Sequence, residues 1–244
     1  IFHAAANKHV NITEKNPLET IKNNILGTLN VLKISKLFKL HLTIISTDKA
    51  ARPKSLLGYT KRFSELLNIV INHQKVNILR FGNVIASTGS ALPRWVSQVN
   101  NDEQITITSK KAERFFMTIN EACYLVLKTC KLKQKNKIYV LNMGKKIKIL
   151  KIVNEIINLK KKLNPFYKPQ IKYTGLQKGE KEVEVLSFNN KLKKTNIANI
   201  YSVNEPIYNR KVINNTIQNL ENFIAGGSDK KAIKLLKIFF KAET

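Results

Sequence analysis

Leu42-Thr43-Ile44-Ile45-Ser46 constrains the fold of this chain more than any other segment. It is a continuous apolar run, the kind a strand shows when it is buried on both faces of a parallel sheet. Pro53 lies in the loop that follows, and a helical pattern runs from about Gly58 to His73. Val76 to Phe81 reads as the next strand. Upstream, Ile1 to Ala6 reads as a strand entering a small-residue turn. Pro17 opens a long helix through about Leu37, with apolar residues at Leu18, Ile21, Ile25, Leu29, Leu32 and Ile34. Strand–helix–strand–helix–strand order predicts an α/β fold: part of a Rossmann-type doubly wound parallel sheet with right-handed crossovers.

Beyond Gly82-Asn83-Val84 the pattern loosens. Short elements are expected at 93–99 (helix), 105–108 (strand), 120–131 (helix), 138–142 (strand), 150–163 (helix) and 171–174 (strand). Helical tail segments are expected near 212–223 and 229–240. Gly and Ser at 87–90 suggest a boundary. Residues 1–88 then form the C-terminal part of a dinucleotide-binding domain. Residues 89–244 form mainly a smaller α/β substrate-binding lobe, partly interleaved with the sheet and ending in the helical tail. The chain starts at Ile1, inside an apparent strand, so an N-terminal part is expected to be missing.

The formal net charge is +27. Arg stands only at 52, 62, 80, 94, 114 and 210, so the charge is nearly all Lys, scattered among Asn and Ile. A dedicated nucleic-acid binder uses Arg for bidentate contacts and interleaves aromatics. The pattern fits compositional drift, with no specific nucleic-acid partner, and a mild attraction for anionic substrates. No apolar run approaches the roughly 20 residues of a membrane helix, and no stretch reads as a signal peptide. Cys123 and Cys130 lie about 10 Å apart along a predicted helix, too far to pair. They read as two buried thiols, compatible with a reducing cytoplasm. The four His residues show no metal-ligand spacing.

Several residues sit where α/β proteins build sites, at the carboxyl ends of strands. Ser46-Thr47-Asp48-Lys49-Ala50, with Lys61 on the first turns of the next helix, forms a compact acid–base set; the plainer alternative is a surface ion pair. His3-Ala4-Ala5-Ala6 leaves room for a cofactor against the backbone, or for close helix packing. Asn24 either faces inward towards a loop or is solvated. Gly82-Asn83 can present amides to a ligand or form a plain turn. Arg114 can meet a phosphate or stay a loop charge. The loop 175–181 holds an anion or merely connects.

Taken together, these residues resemble the extended short-chain dehydrogenase/reductases. Within them they resemble the CapD-type polysaccharide biosynthesis proteins, the UDP-N-acetylglucosamine 4,6-dehydratases. The matching segments are Phe2 to Val10, Asn16 to Glu19, Asn24 to Val31, Ser46 to Ala50, Gly58 with Thr60-Lys61-Arg62, Arg80 to Val84, Arg114 to Thr118, and Gly175-Leu176 with Gly179-Glu180-Lys181. The match runs from Ile1 to about Leu186.

The resemblance implies a recycled NADP or NAD and a UDP-sugar substrate. C4 is oxidised, the C5 proton leaves, the C6 hydroxyl is eliminated and hydride returns to C6. It assigns Lys49 as the base at C5, Asp48 as the acid for the departing hydroxyl, and Lys61 as a cation that also holds the nicotinamide ribose. A lysine base works only where burial or a nearby cation makes it shed its proton. An ionised Asp48 works against that, so the two titrate as a coupled pair. Thr47 and Leu57 complete the catalytic group. His3, Ala4, Ala5, Asn24, Ser46, Lys61, Arg80 and Gly82 fall to the cofactor, and Lys8, Asn83, Val84, Arg114 and Glu180 to the substrate.

Leu57 occupies the position of the superfamily's usual Tyr, and Tyr59 aims elsewhere. The longer, membrane-attached dehydratases carry an apolar residue there, usually Met, so Leu57 points to that branch. Gln177 stands where the family usually has Arg. The Gly-rich first turn of the family is not in this chain. The resemblance implies a homo-oligomer in the cytoplasm, tethered at the inner membrane only through the missing segment. A 4-epimerase and a catalytically inert scaffold remain as alternatives.

Overall fold

The computed structural model describes residues 1–132, 137–189, 191–206 and 208–241. In chain order the first elements are β1 (Phe2–His3), α1 (Val10–Lys15), α2 (Pro17–Ile21), α3 (Gly27–Leu37), β2 (Leu42–Thr47), α4 (Leu56–Ile71) and β3 (Val76–Phe81). There follow β4 (Asn83–Val84), α5 (Ala91–Asn100), β5 (Ile105–Ile107), β6 (Glu113–Arg114), β7 (Phe116–Met117) and α6 (Ile119–Thr129). The remainder comprises β8 (Lys137–Leu141), β9 (Ile147–Lys148), α7 (Ile149–Leu163), β10 (Ile171–Tyr173), β11 (Lys193–Lys194), β12 (Ile200–Val203), α8 (Arg210–Ala225) and α9 (Asp229–Lys241).

Contacts divide the chain into two compact units, both discontinuous in sequence. The first comprises residues 1–81, 125–142 and 185–244. Its sheet has the order β1-β2-β3-β8-β12-β11 among the described residues. β1, β2, β3 and β8 run parallel, while β12 and β11 add antiparallel pairings. The α/β class and the parallel core follow the expectation. The expected boundary at 88 lies seven residues past the observed break at 81, and the tail belongs to the first unit. The reason is apolar: Ile213, Ile217 and Leu220 of α8 and Leu236, Phe239 and Phe240 of α9 are buried in one core with Ile44, Phe63 and Leu67. Phe239 meets Phe63 edge-on, with ring centroids 5.1 Å apart. Tyr59 stacks on Phe240 of α9, with ring centroids 5.8 Å apart.

The single helix expected at 17–37 is interrupted by a π turn at Lys22–Leu26. Such turns add one residue within a helix and are frequent at functional sites. This one carries Asn24, which is buried. α4 starts at Ser55, whose side chain accepts from the Gly58 amide at 3.1 Å, an N-cap bond. It ends at Asn72 in the left-handed region, φ 52°. The expected thiol burial is corrected: Cys123 and Cys130 are both exposed and free, Cys123 on the face of α6 that also exposes Tyr124 and Leu127, and Cys130 just past the end of that helix.

The second unit comprises residues 82–124 and 143–184. Parallel β5 and β10 pair in it, as do β4 with β7 and β6 with β9. Trp95, Val99, Ile105, Ile107, Val153 and Ile157 form its core. Trp95 Nε1 donates to the Thr106 carbonyl at 2.9 Å.

Candidate active site

β2 ends at Thr47, and Asp48–Ala50 form a single 3-10 turn beyond it. Thr47 Oγ1 caps that turn by accepting from the Lys49 amide at 3.4 Å, and it donates to Asp48 Oδ1 at 3.0 Å. Lys49 Nζ donates to the same Oδ1 at 3.0 Å. The Asp48 side chain is fully buried, whereas that of Lys49 is 21% exposed. Asp48 Oδ2 is buried and has no hydrogen-bond partner. An unpartnered buried carboxylate oxygen is costly, and native structures keep such groups where a ligand or reaction uses them. α4 holds the turn from beneath. A Cβ on Gly58 would fall 2.7 Å from the Lys49 carbonyl oxygen and 3.2 Å from Pro53, so only glycine allows this approach.

Leu57 and Lys61 stand one turn apart on α4, and both are buried. Leu57 offers no proton donor or acceptor. Lys61 Nζ donates to the Ile45 carbonyl at 2.6 Å. Burial pushes its ammonium down to about 8, against the upward pull of the Glu65 carboxylate. His3 Nε2 pairs with Thr28 Oγ1 at 2.9 Å. Burial holds its imidazole below the usual value, and the Lys61 charge adds to that. Asn24 binds both the Asn7 amide (2.7 Å) and the Asn7 carbonyl (3.1 Å), and donates to Thr60 Oγ1 at 3.1 Å. It therefore ties the segment after β1 to α4. Ala4, Ala5 and Lys8 are exposed along that segment.

Ser46 and Arg80, both expected at the cofactor, are placed elsewhere, inside a buried ionic network. They are direct neighbours on β2 and β3. Glu65 Oε1 accepts from Ser46 Oγ at 2.6 Å and from Arg80 Nε at 2.8 Å. Glu65 Oε2 accepts from Arg80 Nη2 at 2.6 Å and from Arg62 Nη1 at 3.2 Å. Arg80 Nη1 meets Glu205 Oε1 at 2.6 Å. Burial would raise Glu65, but the Arg80 guanidinium, with Arg62 and the Ser46 hydroxyl, holds it below the usual carboxylate value. Arg80 is fully buried with all three side-chain nitrogens engaged inside the protein. Its partners lie 15 and 125 residues away, and only folding reveals them.

The remaining expected residues belong to the second unit. Arg114 is buried, donating to the Glu113 and Glu182 carbonyls and to Glu180 Oε1 at 2.9 Å. Glu180 also accepts from Thr108 Oγ1 at 3.0 Å. The Gly82 amide donates to Met143 Sδ, and β4 places Asn83 and Val84 half-buried beside Phe116 and Met117. The structure thus brings Arg114 and Glu180 together, and separately Thr47, Asp48 and Lys49. Among the described residues, no group of three His, Cys, Asp or Glu side chains is arranged to hold a metal ion.

The model of the family described as "Polysaccharide biosynthesis protein" matches residues 1–205. The chain belongs to that family. It is 38% identical over 217 residues to the capsular polysaccharide biosynthesis protein CapD of Staphylococcus aureus, covering 87% of this chain and 35% of CapD. It is 38% identical over 192 residues to the probable polysaccharide biosynthesis protein EpsC of Bacillus subtilis, 76% of this chain and 31% of EpsC. The chain therefore spans about a third of the length of these relatives. It is 32% identical to a UDP-glucose 4-epimerase of Rickettsia bellii over 83% of this chain and 60% of that one. Among solved structures, Pen from Bacillus thuringiensis superposes with a TM-score of 0.74 at 28% identity, over 86% of this chain and 67% of Pen. The UDP-glucuronic acid 4-epimerase of Bacillus cereus shares the fold, with a TM-score of 0.63 at 23% identity over 74% of this chain and 63% of that one.

For this polysaccharide biosynthesis family member, the residues that sequence reading missed are Glu65 and Glu205. Glu65 had one visible signal. It lies four residues after Lys61 and three after Arg62, in a helix segment apolar enough to be buried all round.

Proposed function

We propose that this chain carries the proton-moving residues of a nucleotide-sugar 4,6-dehydratase, acting on a UDP-N-acetylhexosamine. The observation that supports this most is the orphan Oδ2 of Asp48, buried beside a paired Lys49 at the end of a parallel strand. Family membership and the similarity to CapD support the same reading.

Dehydration needs one base and one acid at once. Lys49 Nζ takes the C5 proton, which a ketone at C4 acidifies. Asp48 gives a proton from Oδ2 to the C6 hydroxyl, the C6–O bond breaks, and water leaves. The pair begins as neutral amine and carboxylic acid and ends as ammonium and carboxylate. The 3.0 Å contact of Nζ with Oδ1 holds the two groups side by side. As C6 is reduced the Lys49 ammonium returns its proton to C5, and Asp48 Oδ2 takes up a proton equivalent to the one released from the C4 hydroxyl, so the two groups act as a coupled unit. Thr47 Oγ1 keeps Oδ1 turned to Lys49 and leaves Oδ2 for the sugar.

NAD or NADP supplies the removal of hydride from C4 and its return to C6. The exposed methyl-sized side chains of Ala4 and Ala5 after β1, and the buried Lys61 amine, fit such a group: the first admits it to the backbone, the second offers a cation to its nicotinamide ribose. Leu57 moves no proton, so the C4 hydroxyl loses its proton to a group other than residue 57.

The test is the complete gene product incubated with NAD+ and UDP-N-acetylglucosamine, followed by mass spectrometry. A product one water lighter than substrate is expected. A product of unchanged mass with inverted C4 would favour a 4-epimerase, the reading that the similarity to the Rickettsia epimerase supports. No turnover and no nicotinamide binding would favour an inert scaffold.

A further inference from the structure

Helix α4 meets the end of β2 at two consecutive residues. Lys61 Nζ lands on the Ile45 carbonyl, and Ser46 Oγ lands on Glu65 Oε1, each at 2.6 Å. A carboxylate accepts about four hydrogen bonds. Glu65 receives them from Ser46 Oγ, Arg80 Nε, Arg80 Nη2 and Arg62 Nη1. That set spans β2, β3 and α4, so the Glu65 carboxylate is held from three elements and its distance from Lys61 is fixed. We propose that Glu65 is a positioning residue of the site: by binding Ser46, the residue next to Ile45, it fixes the end of β2 against α4 and keeps the Lys61 amine seated on the Ile45 carbonyl.

The guanidiniums of Arg62, next to Lys61 on α4, and of Arg80 on β3 are both bound to Glu65 and oppose a charge on Lys61. His3 on β1 interacts with Lys61 charge to charge, Ile45 on β2 offers a carbonyl, and Glu65 on its own helix is the carboxylate that opposes burial. Glu205 belongs to the same network, through Arg80 and Arg62, but does not touch Ser46 and lies on a different segment. A residue that only stabilised the fold would act on Lys61 no more than Glu205 does.

Calling this place a site rests on the function proposed above; the following titration does not. Lysines carrying carbon-13 at Cε are followed by NMR in the unliganded chain, and the Lys61 signal is identified by its loss in Lys61→Met. Its midpoint is expected near pH 8 in the unaltered chain. In Glu65→Gln it falls by about one pH unit or more, roughly tenfold in proton affinity, while Glu205→Gln leaves it in place. An unmoved midpoint in Glu65→Gln, or an equal shift in both variants, overturns the proposal. If Glu65→Gln alone does not fold, Glu65→Asp keeps the charge but draws it back from Ser46, and it must still move the midpoint while Glu205→Asp does not. Since neither sugar nor nicotinamide is present, a failed titration leaves the dehydratase reading intact, and a failed dehydratase assay leaves the titration intact.

Discussion

At the scale of residues, the proton arithmetic of Asp48 and Lys49 makes separable predictions. Lys49→Ala is expected to abolish the 4-keto product, because nothing else in the 3-10 turn can take the C5 proton. Asp48→Asn keeps the shape but removes the acid, and turnover should fall by about 100-fold or more, the usual weight of a general acid; steady-state kinetics on both variants checks this. Lys61 makes a pH prediction. Its ammonium is lost as pH rises through about 8, so NAD+ affinity measured by titration calorimetry should decline above that value, and Lys61→Arg should remove the decline. The same shift acts on folding with the opposite sense. The unfolded chain binds more protons than the folded one between about 8 and the ordinary lysine value of 10.5, so this group adds stability as pH rises through that window. The places of Asp48 and Lys49 just past a strand and of Lys61 early in the next helix were legible in the sequence because a strand, a tight turn and a helix follow one another within a few residues. The partners of Arg80 and Ser46 were not, because an arginine near the end of a strand looks the same whether it meets a phosphate or Glu205, a partner distant in sequence.

Elements set the next scale. The turn that bears Lys49 rests on the first turn of α4, and Gly58 is the contact. Gly58→Ala puts a methyl 2.7 Å from the Lys49 carbonyl, and backbone must move to admit it. Overpacking of this sort costs about 1–3 kcal/mol; urea denaturation should show it, and turnover should fall with it because Lys49 shifts. An unchanged unfolding midpoint would mean the turn is looser than the contact implies. Helix and strand positions in the first 81 residues were readable from periodicity. The π turn was not, since one inserted residue leaves the apolar pattern of residues 17–37 almost unchanged. The short helix at Val10–Lys15 was also missed: among its residues only Thr13 is buried, so it has no apolar stripe to read.

For the molecule as a whole, the last two helices complete the core of the first unit. Phe239 is packed between Phe63, Tyr208 and Phe240, with centroids 4.7–5.1 Å away. Phe239→Ala should therefore cost about 3–5 kcal/mol, as truncation of a buried aromatic does, and thermal unfolding will measure it. The helical character of this tail was visible as apolar periodicity, but its place in the fold was not. Nor was the antiparallel β12, four residues whose partner strand lies about 60 positions earlier in the chain. No described helix is long and apolar enough to cross a membrane.

The strand order carries a consequence for how this protein is made. β3 gains its neighbour β8 only after residues 82–124 of the second unit have been translated, and β8 waits for β12, near residue 200, to cover its other edge. A nascent chain leaving the ribosome therefore trails an unfinished sheet edge for most of its synthesis. Such edges invite pairing with other chains. Expression is expected to depend on chaperones that shield the growing chain, and to suffer most when translation stalls between β8 and β12.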